Sequence, residues 1–228
     1  MNEALKLFPK NTAAYLSKLS KNNNREWFEA NRDLLNSDFL EPAVQFVSEM
    51  GEKLLSLDPE IIAVPKTDKS IFRLHRDLRF SKNKQPYKTN MGLFFWNGRK
   101  KKMEGSGFYF HLEPKYFFVG VGTYMFPKDL IKKYRDVVSD PAAGKELDII
   151  VKKLMKKSGL KIGGKKFKKV PRGYNPDSPY VEYLLYDGIH IFYEDKDLKK
   201  LTGNPIDYVF KLFKEMLPLH QWLVKNLS

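Results

Sequence analysis

Cysteine is absent from the 228 residues, which excludes disulfides, thiol nucleophiles and thiolate metal sites. That absence fits a reducing compartment, so a cytoplasmic location is expected. Long apolar runs are missing as well. The longest, such as Phe117 to Val121, reach about a quarter of the roughly twenty residues that a bilayer-spanning helix needs. The opening Met1-Asn2-Glu3-Ala4 has no charged-then-apolar signal layout, so neither export nor a membrane partner is expected. Arginine is scarce, with 8 against 33 Lys, and acids vanish altogether between Ile149 and Pro176.

What is present is enough for a core. Hydrophobic residues make up 42% and aromatics 14%, which sets the chain apart from disordered and coiled-coil sequences. The net charge of +14 is uneven, because Lys152, Lys153, Lys156, Lys157, Lys161, Lys165, Lys166, Lys168, Lys169 and Arg172 fall in the acid-free stretch. Clustered cations attract polyanions, so nucleic acid is one expected partner for residues 152–172. A solvated Lys-rich face is the plainer reading, since only Phe167 interrupts the run with an aromatic ring.

The first quarter has helical periodicity. Thr12 can cap a helix through Leu19, Asn23 with Glu26 reads as a capping box for a helix over 24–36, and Pro42 suits the first turn of the next. From Ile71 the period drops to two: Phe72, Leu74, Leu78 and Phe80 alternate with Arg73, His75, Asp77 and Arg79, which predicts a half-buried strand. Further strands are predicted near Gly92–Trp96, Phe108–Glu113 and Tyr116–Val121. Pro127 and Asp140-Pro141 open helices, the second stopped by Gly159, and the basic run continues over a turn at Gly163-Gly164. Ser178-Pro179 opens a short helix, Ile189–Tyr193 adds a strand, and Asn204-Pro205 starts a C-terminal helix that Pro218 should break. The expectation is one α+β domain over residues 1–228, with a central, mainly antiparallel sheet and helices from both chain ends packed on it.

Three of the eight Arg fall within seven residues at Arg73, Arg76 and Arg79. A guanidinium is a flat, forked donor set that Lys cannot replace, so Arg in a Lys-dominated chain points to fixed geometry around a carboxylate or phosphate. An Arg/His/Asp/Arg row along one strand face could grip an anion, with Asp77 orienting His75 or acting as a base beside it. Cross-strand ion pairs on a solvated face would use the same residues. Arg76, on the apolar side, needs a partner, and Glu26, Glu29 and Asp33 are the candidates. The following loop adds Lys82 and Pro86-Tyr87-Lys88-Thr89-Asn90.

This segment, with Asn24-Arg25-Glu26-Trp27-Phe28, Gly107-Phe108-Tyr109-Phe110-His111-Leu112 and Pro171-Arg172-Gly173-Tyr174, resembles the conserved hypothetical family known as domain of unknown function 2461. The resemblance covers nearly the whole chain and implies a single-domain protein of a type widespread in bacteria. It implies no activity, cofactor or catalytic residue. Its usual Tyr before the Arg-Asp pair is His75 here, so a catalytic His75 would not extend to relatives.

The leading functional expectation is binding of a phosphate- or carboxylate-bearing ligand by Arg73, Arg76, Arg79, Lys82, Tyr87, Lys88 and Asn90, with Arg172 from a distant loop. An enzyme acting on such a ligand is the alternative, with His75 or His111 as proton carrier and Asp77 as its orienter. Nucleic-acid binding through residues 152–172 is the third reading, and a structural or partner-binding role the fourth. His75, His111, His190 and His220 lack the spacing of common metal motifs, so no metal or other cofactor is expected. Gly105-Ser106-Gly107 lacks the full nucleophile elbow.

Overall fold

The computed structural model describes residues 5–79 and 81–228. Six strands form an antiparallel sheet in the order β1-β2-β3-β4-β6-β5. They are β1 (Ile61–Ile62), β2 (Met91–Asn97), β3 (Gly107–Leu112), β4 (Phe117–Thr123), β5 (Leu160–Lys165) and β6 (Tyr186–Asp195). Helices come from both chain ends: α1 (Lys10–Lys21), α2 (Arg25–Ala30), α3 (Arg32–Leu35) and α4 (Glu41–Leu54) precede the sheet, and α7 (Pro205–Leu227) closes the chain. Between β4 and β5 lie α5 (Lys128–Ser139) and α6 (Pro141–Met155). The architecture is the α+β class that the alternating periodicities predict.

Local chemistry accounts for most boundaries. Asn24 caps α2 by accepting from the Trp27 N–H at 2.9 Å, one residue later than the capping box predicts. Thr12 lies inside α1, and its hydroxyl donates to the Asp38 carbonyl at 2.6 Å in place of capping. The helix expected over 24–36 is interrupted at Asn31, whose side chain donates to the Trp27 carbonyl at 2.8 Å. The chain then runs through α3 and a wide π turn, Asn36–Leu40, directly into α4. Asp140 caps α6 by accepting from Ala142 and Ala143. Pro218 does not end α7, because Met216, Leu219, Trp222 and Leu223 around it are buried, and their burial outweighs the roughly 3 kcal/mol of an interior proline. Gly163-Gly164 is no turn. It lies within β5, where the register against β6 shifts between Gly163 and Lys165.

The chain divides into two compact units, each assembled from three segments. The first comprises Met1–Phe95, Tyr109–Phe118 and Glu194–Lys211, and the second Trp96–Phe108, Val119–Tyr193 and Leu212–Ser228. In the first, Leu16, Phe39, Phe46, Met50, Phe95, Phe110 and Phe117 are buried, with Phe46 stacked on Phe110 at 4.7 Å. In the second, Phe108, Val121, Tyr134, Leu147, Ile189, Phe213 and Trp222 form the core. Several of its buried polar groups are paired: Tyr134 donates to the Tyr183 carbonyl, Trp222 donates to the Ala143 carbonyl, and Ser106 is 2.8 Å from the His220 ring, whereas Arg135 Nε and His190 Nδ1 are buried without a hydrogen-bond partner among the described residues.

Candidate functional site

The period-two alternation from Ile71 survives in the structure, but the regular ladder does not. Leu74 is buried while Arg73, His75, Asp77 and Arg79 are exposed; Phe80, expected on the apolar side, lies outside the described residues. The segment forms an irregular hairpin with the chain leading into β2. Isolated bridges join Ile71 to Leu93 and His75 to Tyr87, and the N–H groups of Phe72, Lys88 and Arg76 donate to Gly92, Leu74 and Pro86. Pro86 has no N–H to return to Arg76, so the pairing stops there.

Asn23 holds this hairpin from outside. Its side-chain amide donates to the Tyr87 carbonyl and its oxygen accepts from the Tyr87 N–H, both at 3.0 Å. The Tyr87 ring is buried and stacks on Phe28 at 4.0 Å, with His75 edge-on to both rings. The Tyr87 ring is thus part of the packing beneath the hairpin, and the exposed His75 borders it. Asn23→Ala leaves two backbone groups of Tyr87 without partners and is expected to cost about 1–3 kcal/mol in a urea unfolding experiment. Asn23→Asp keeps the acceptor and should lose less.

The Arg row separates into three different jobs. Arg79 is spent on Asp77, with Nη2 at 2.7 Å and Nε at 3.0 Å, and these hydrogen bonds hold the Asp77 carboxyl below its usual range. Asp77 makes no hydrogen bond to His75, so the expected orienting pair is not formed. Arg76 does not reach Glu26, Glu29 or Asp33. It donates to the Gln85 carbonyl at 3.3 Å and the Ser81 hydroxyl at 3.2 Å, so the loop closes around it and needs no carboxylate. Glu29 is instead bidentate with Arg32. Lys82 is exposed at the hairpin tip.

Arg73 and Lys88 remain. Arg73 has one long contact, from Nε to Asp68 at 3.8 Å. The half-buried Lys88 lies over the Phe72 ring at 5.6 Å, and among the described residues no carboxylate comes within ion-pair distance of its ammonium, Asp68 acting on it from farther away. Burial, then the neighbouring Arg73 charge, pushes the Lys88 pKa down against the opposing pull of the Asp68 carboxylate. The half-buried side chains of Thr89 and Asn90 follow directly and make no hydrogen bond among the described residues.

Beyond Phe72 the outward face of β3 carries a polar line. Phe108, Phe110 and Leu112 turn inward, so Tyr109, His111 and then Glu113 share the other face. The Tyr109 hydroxyl is 3.0 Å from His111 Nδ1, His111 Nε2 is 3.3 Å from Glu113, and the Tyr116 hydroxyl donates to the same Glu113 oxygen at 2.9 Å. Phe118 stacks on His111 at 4.5 Å. Burial lowers the His111 pKa against the opposing pull of Glu113 and pushes Tyr116 up to about 12. Phe72 meets Tyr109 edge-on at 5.9 Å, and a Cβ on Gly92 would stand 2.7 Å from the Tyr109 hydroxyl oxygen. His111 thus has an acid beside it, but the acid is Glu113 and not Asp77. Glu113 was legible as the next member of the period-two series after Tyr109 and His111.

In the second unit, Arg172 is exposed on a turn where Gly173 has φ +89, and Tyr174 is anchored to Asp136 at 2.8 Å. Four cations of the basic run hold carboxylates: Lys152 with Asp148, Lys157 with Glu215, Lys165 with Glu182 and Lys166 with Asp187. Lys161 lies over the Phe192 ring at 5.9 Å.

Residues 11–222 match a family described as a conserved hypothetical protein, DUF2461. The chain belongs to that family. No curated protein and no solved structure matches it. In this DUF2461 chain the motif block Asn24–Phe28 builds the cap of α2 and the Tyr87 stack, the block over 73–90 is the hairpin, and Gly107–Leu112 is β3. No helix among the described residues is long and apolar enough to cross a membrane.

Proposed function

We propose that this DUF2461 protein binds a small ligand through a phosphate or carboxylate group seated against Arg73 and Lys88. The observation that carries the reading is a half-buried ammonium, Lys88, over the Phe72 ring beside the Arg73 guanidinium, with one carboxylate among the described residues, Asp68, acting on both from a long 3.8 Å to Arg73. Unlike charges in that position would neutralise each other, whereas like charges cost free energy until an anion arrives. Thr89 and Asn90 supply uncommitted polar groups beside them, and the apolar Phe72 ring floors the Lys88 side. The expected group is thereby reduced. Arg76, Arg79 and Tyr87 shape the hairpin, and Arg73, Lys88 and Asn90 are the residues proposed to meet the ligand.

Nucleic-acid binding through residues 152–172 draws less support, because at least four of its ten cations are engaged by acids of their own unit. A polyanion would have to displace those carboxylates.

Thermal unfolding against inorganic phosphate, sulfate, nucleotides and sugar phosphates tests the proposal. A ligand present at a hundredfold its Kd should stabilise the wild type by about 2.7 kcal/mol. Arg73→Ala and Lys88→Ala should lose that gain while unfolding, without ligand, close to the wild type, because neither side chain is buried in the core. Asp77→Ala should keep it. An unshifted transition with every anion would remove the proposal.

A further inference from the structure

We propose that Tyr109 is a further ligand-binding residue of the anion site, and that protonation of His111 turns its hydroxyl from the protein to the ligand. The inference rests on the anion-binding reading above and extends it along β3. The Phe72 ring is shared: Lys88 lies over it and Tyr109 meets it edge-on, while the Tyr109 hydroxyl stands over the glycine that receives the Phe72 N–H.

Hydrogen-bond direction follows from the acid at the far end of the line. Glu113 is a carboxylate acceptor, so the neutral imidazole keeps its hydrogen on Nε2, facing Glu113, and Nδ1 is left as an acceptor. Tyr109 then donates its only O–H to Nδ1 and has none for a ligand. When His111 takes a proton from solvent at Nδ1, that nitrogen becomes the donor to the Tyr109 oxygen, and the phenol O–H is released to point at an anion. One proton enters and no bond other than N–H is formed. The titratable and aromatic groups seen against His111 among the described residues are Tyr109 and Glu113 along its own strand, Tyr116 just before β4 and Phe118 in it, with Glu194 acting on Tyr116. Burial keeps His111 neutral near pH 7, and a bound anion favours the imidazolium. Anion affinity should therefore rise as pH falls through the range where His111 gains its proton, by at most tenfold per pH unit for a single proton.

Sulfate is the probe, because its own charge stays constant between about pH 5.5 and 7.5. Calorimetric titration across that range, in buffers of different ionisation enthalpy, reads both the affinity and the proton uptake. The wild type should bind more tightly at low pH with uptake of up to one proton. Tyr109→Phe and His111→Gln should bind with pH-independent affinity near the weaker wild-type limit, and His75→Gln should behave as the wild type. Circular dichroism confirms that each variant is folded, and Tyr109→Phe removes only an oxygen from a half-buried ring. Sulfate binding without pH dependence, or with a dependence that survives in both Tyr109→Phe and His111→Gln, overturns this inference and leaves the anion site standing. No sulfate binding at any pH, together with no stabilisation by the other anions, overturns both.

Discussion

Phe46→Ala is expected to lower the unfolding free energy by about 3–5 kcal/mol, the range for removing a large side chain from a tight core. Phe46 is fully buried in α4, stacks on Phe110 of β3 at 4.7 Å, and meets the Phe8 ring at 5.9 Å. Truncation leaves a void bounded by two aromatic rings that their own packing holds in place, so little collapse can offset the lost contacts. Small domains have only about 5–15 kcal/mol in hand, so the urea midpoint should fall by a large fraction. Phe46→Leu fills most of the same space and should cost about 1–1.5 kcal/mol. Similar losses for the two variants would mean that Phe46 is less tightly enclosed than the ring geometry indicates.

Gly122→Ala is expected to cost about 2 kcal/mol or more, through a different cause. Gly122 in β4 has φ +132, a backbone conformation that side-chain-bearing residues rarely adopt, and an added methyl would run into the Ile189 carbonyl oxygen of β6. The obstacle is backbone, so relief requires the two strands to part locally and weakens their hydrogen bonds. Gly173→Ala is the comparison: it shares a positive φ of +89 but has open space around it, so it isolates the dihedral cost from the collision. Chemical denaturation of the two variants should place Gly122→Ala well below Gly173→Ala in midpoint. Equal midpoints would count against the collision.

The elements that can be read from the sequence are those whose signals are local. Asp140-Pro141 announces α6 because the cap and the first helical residue are adjacent, and β3 shows itself through strict alternation of Phe108, Phe110 and Leu112 with Tyr109 and His111. β5 is hidden. Its Lys-Ile-Gly-Gly sequence has little strand preference, and it becomes a strand only because β6, some thirty residues later, supplies the partner. The Arg row shows the same limit within the site. Its exposed face was legible, yet which guanidinium stays available depended on loop closure: Asp77 reaches Arg79 two residues on, and Ser81 with Gln85 encloses Arg76. Glu113 as the partner of His111 was legible by the same alternation, since the strand predicted over Phe108–Glu113 puts Tyr109, His111 and Glu113 on one face.

The interleaving of the two units has a consequence for biosynthesis. Each needs three stretches of chain, and the last stretch of the first unit ends at Lys211 while that of the second ends at Ser228. A ribosome therefore completes neither before it has passed residue 211, and a nascent chain halted at residue 190 holds two incomplete cores with apolar surface uncovered. Expression of residues 1–95 or 119–193 as a continuous fragment should give insoluble or protease-sensitive material, and a stop codon at residue 190 should be as damaging as one far upstream.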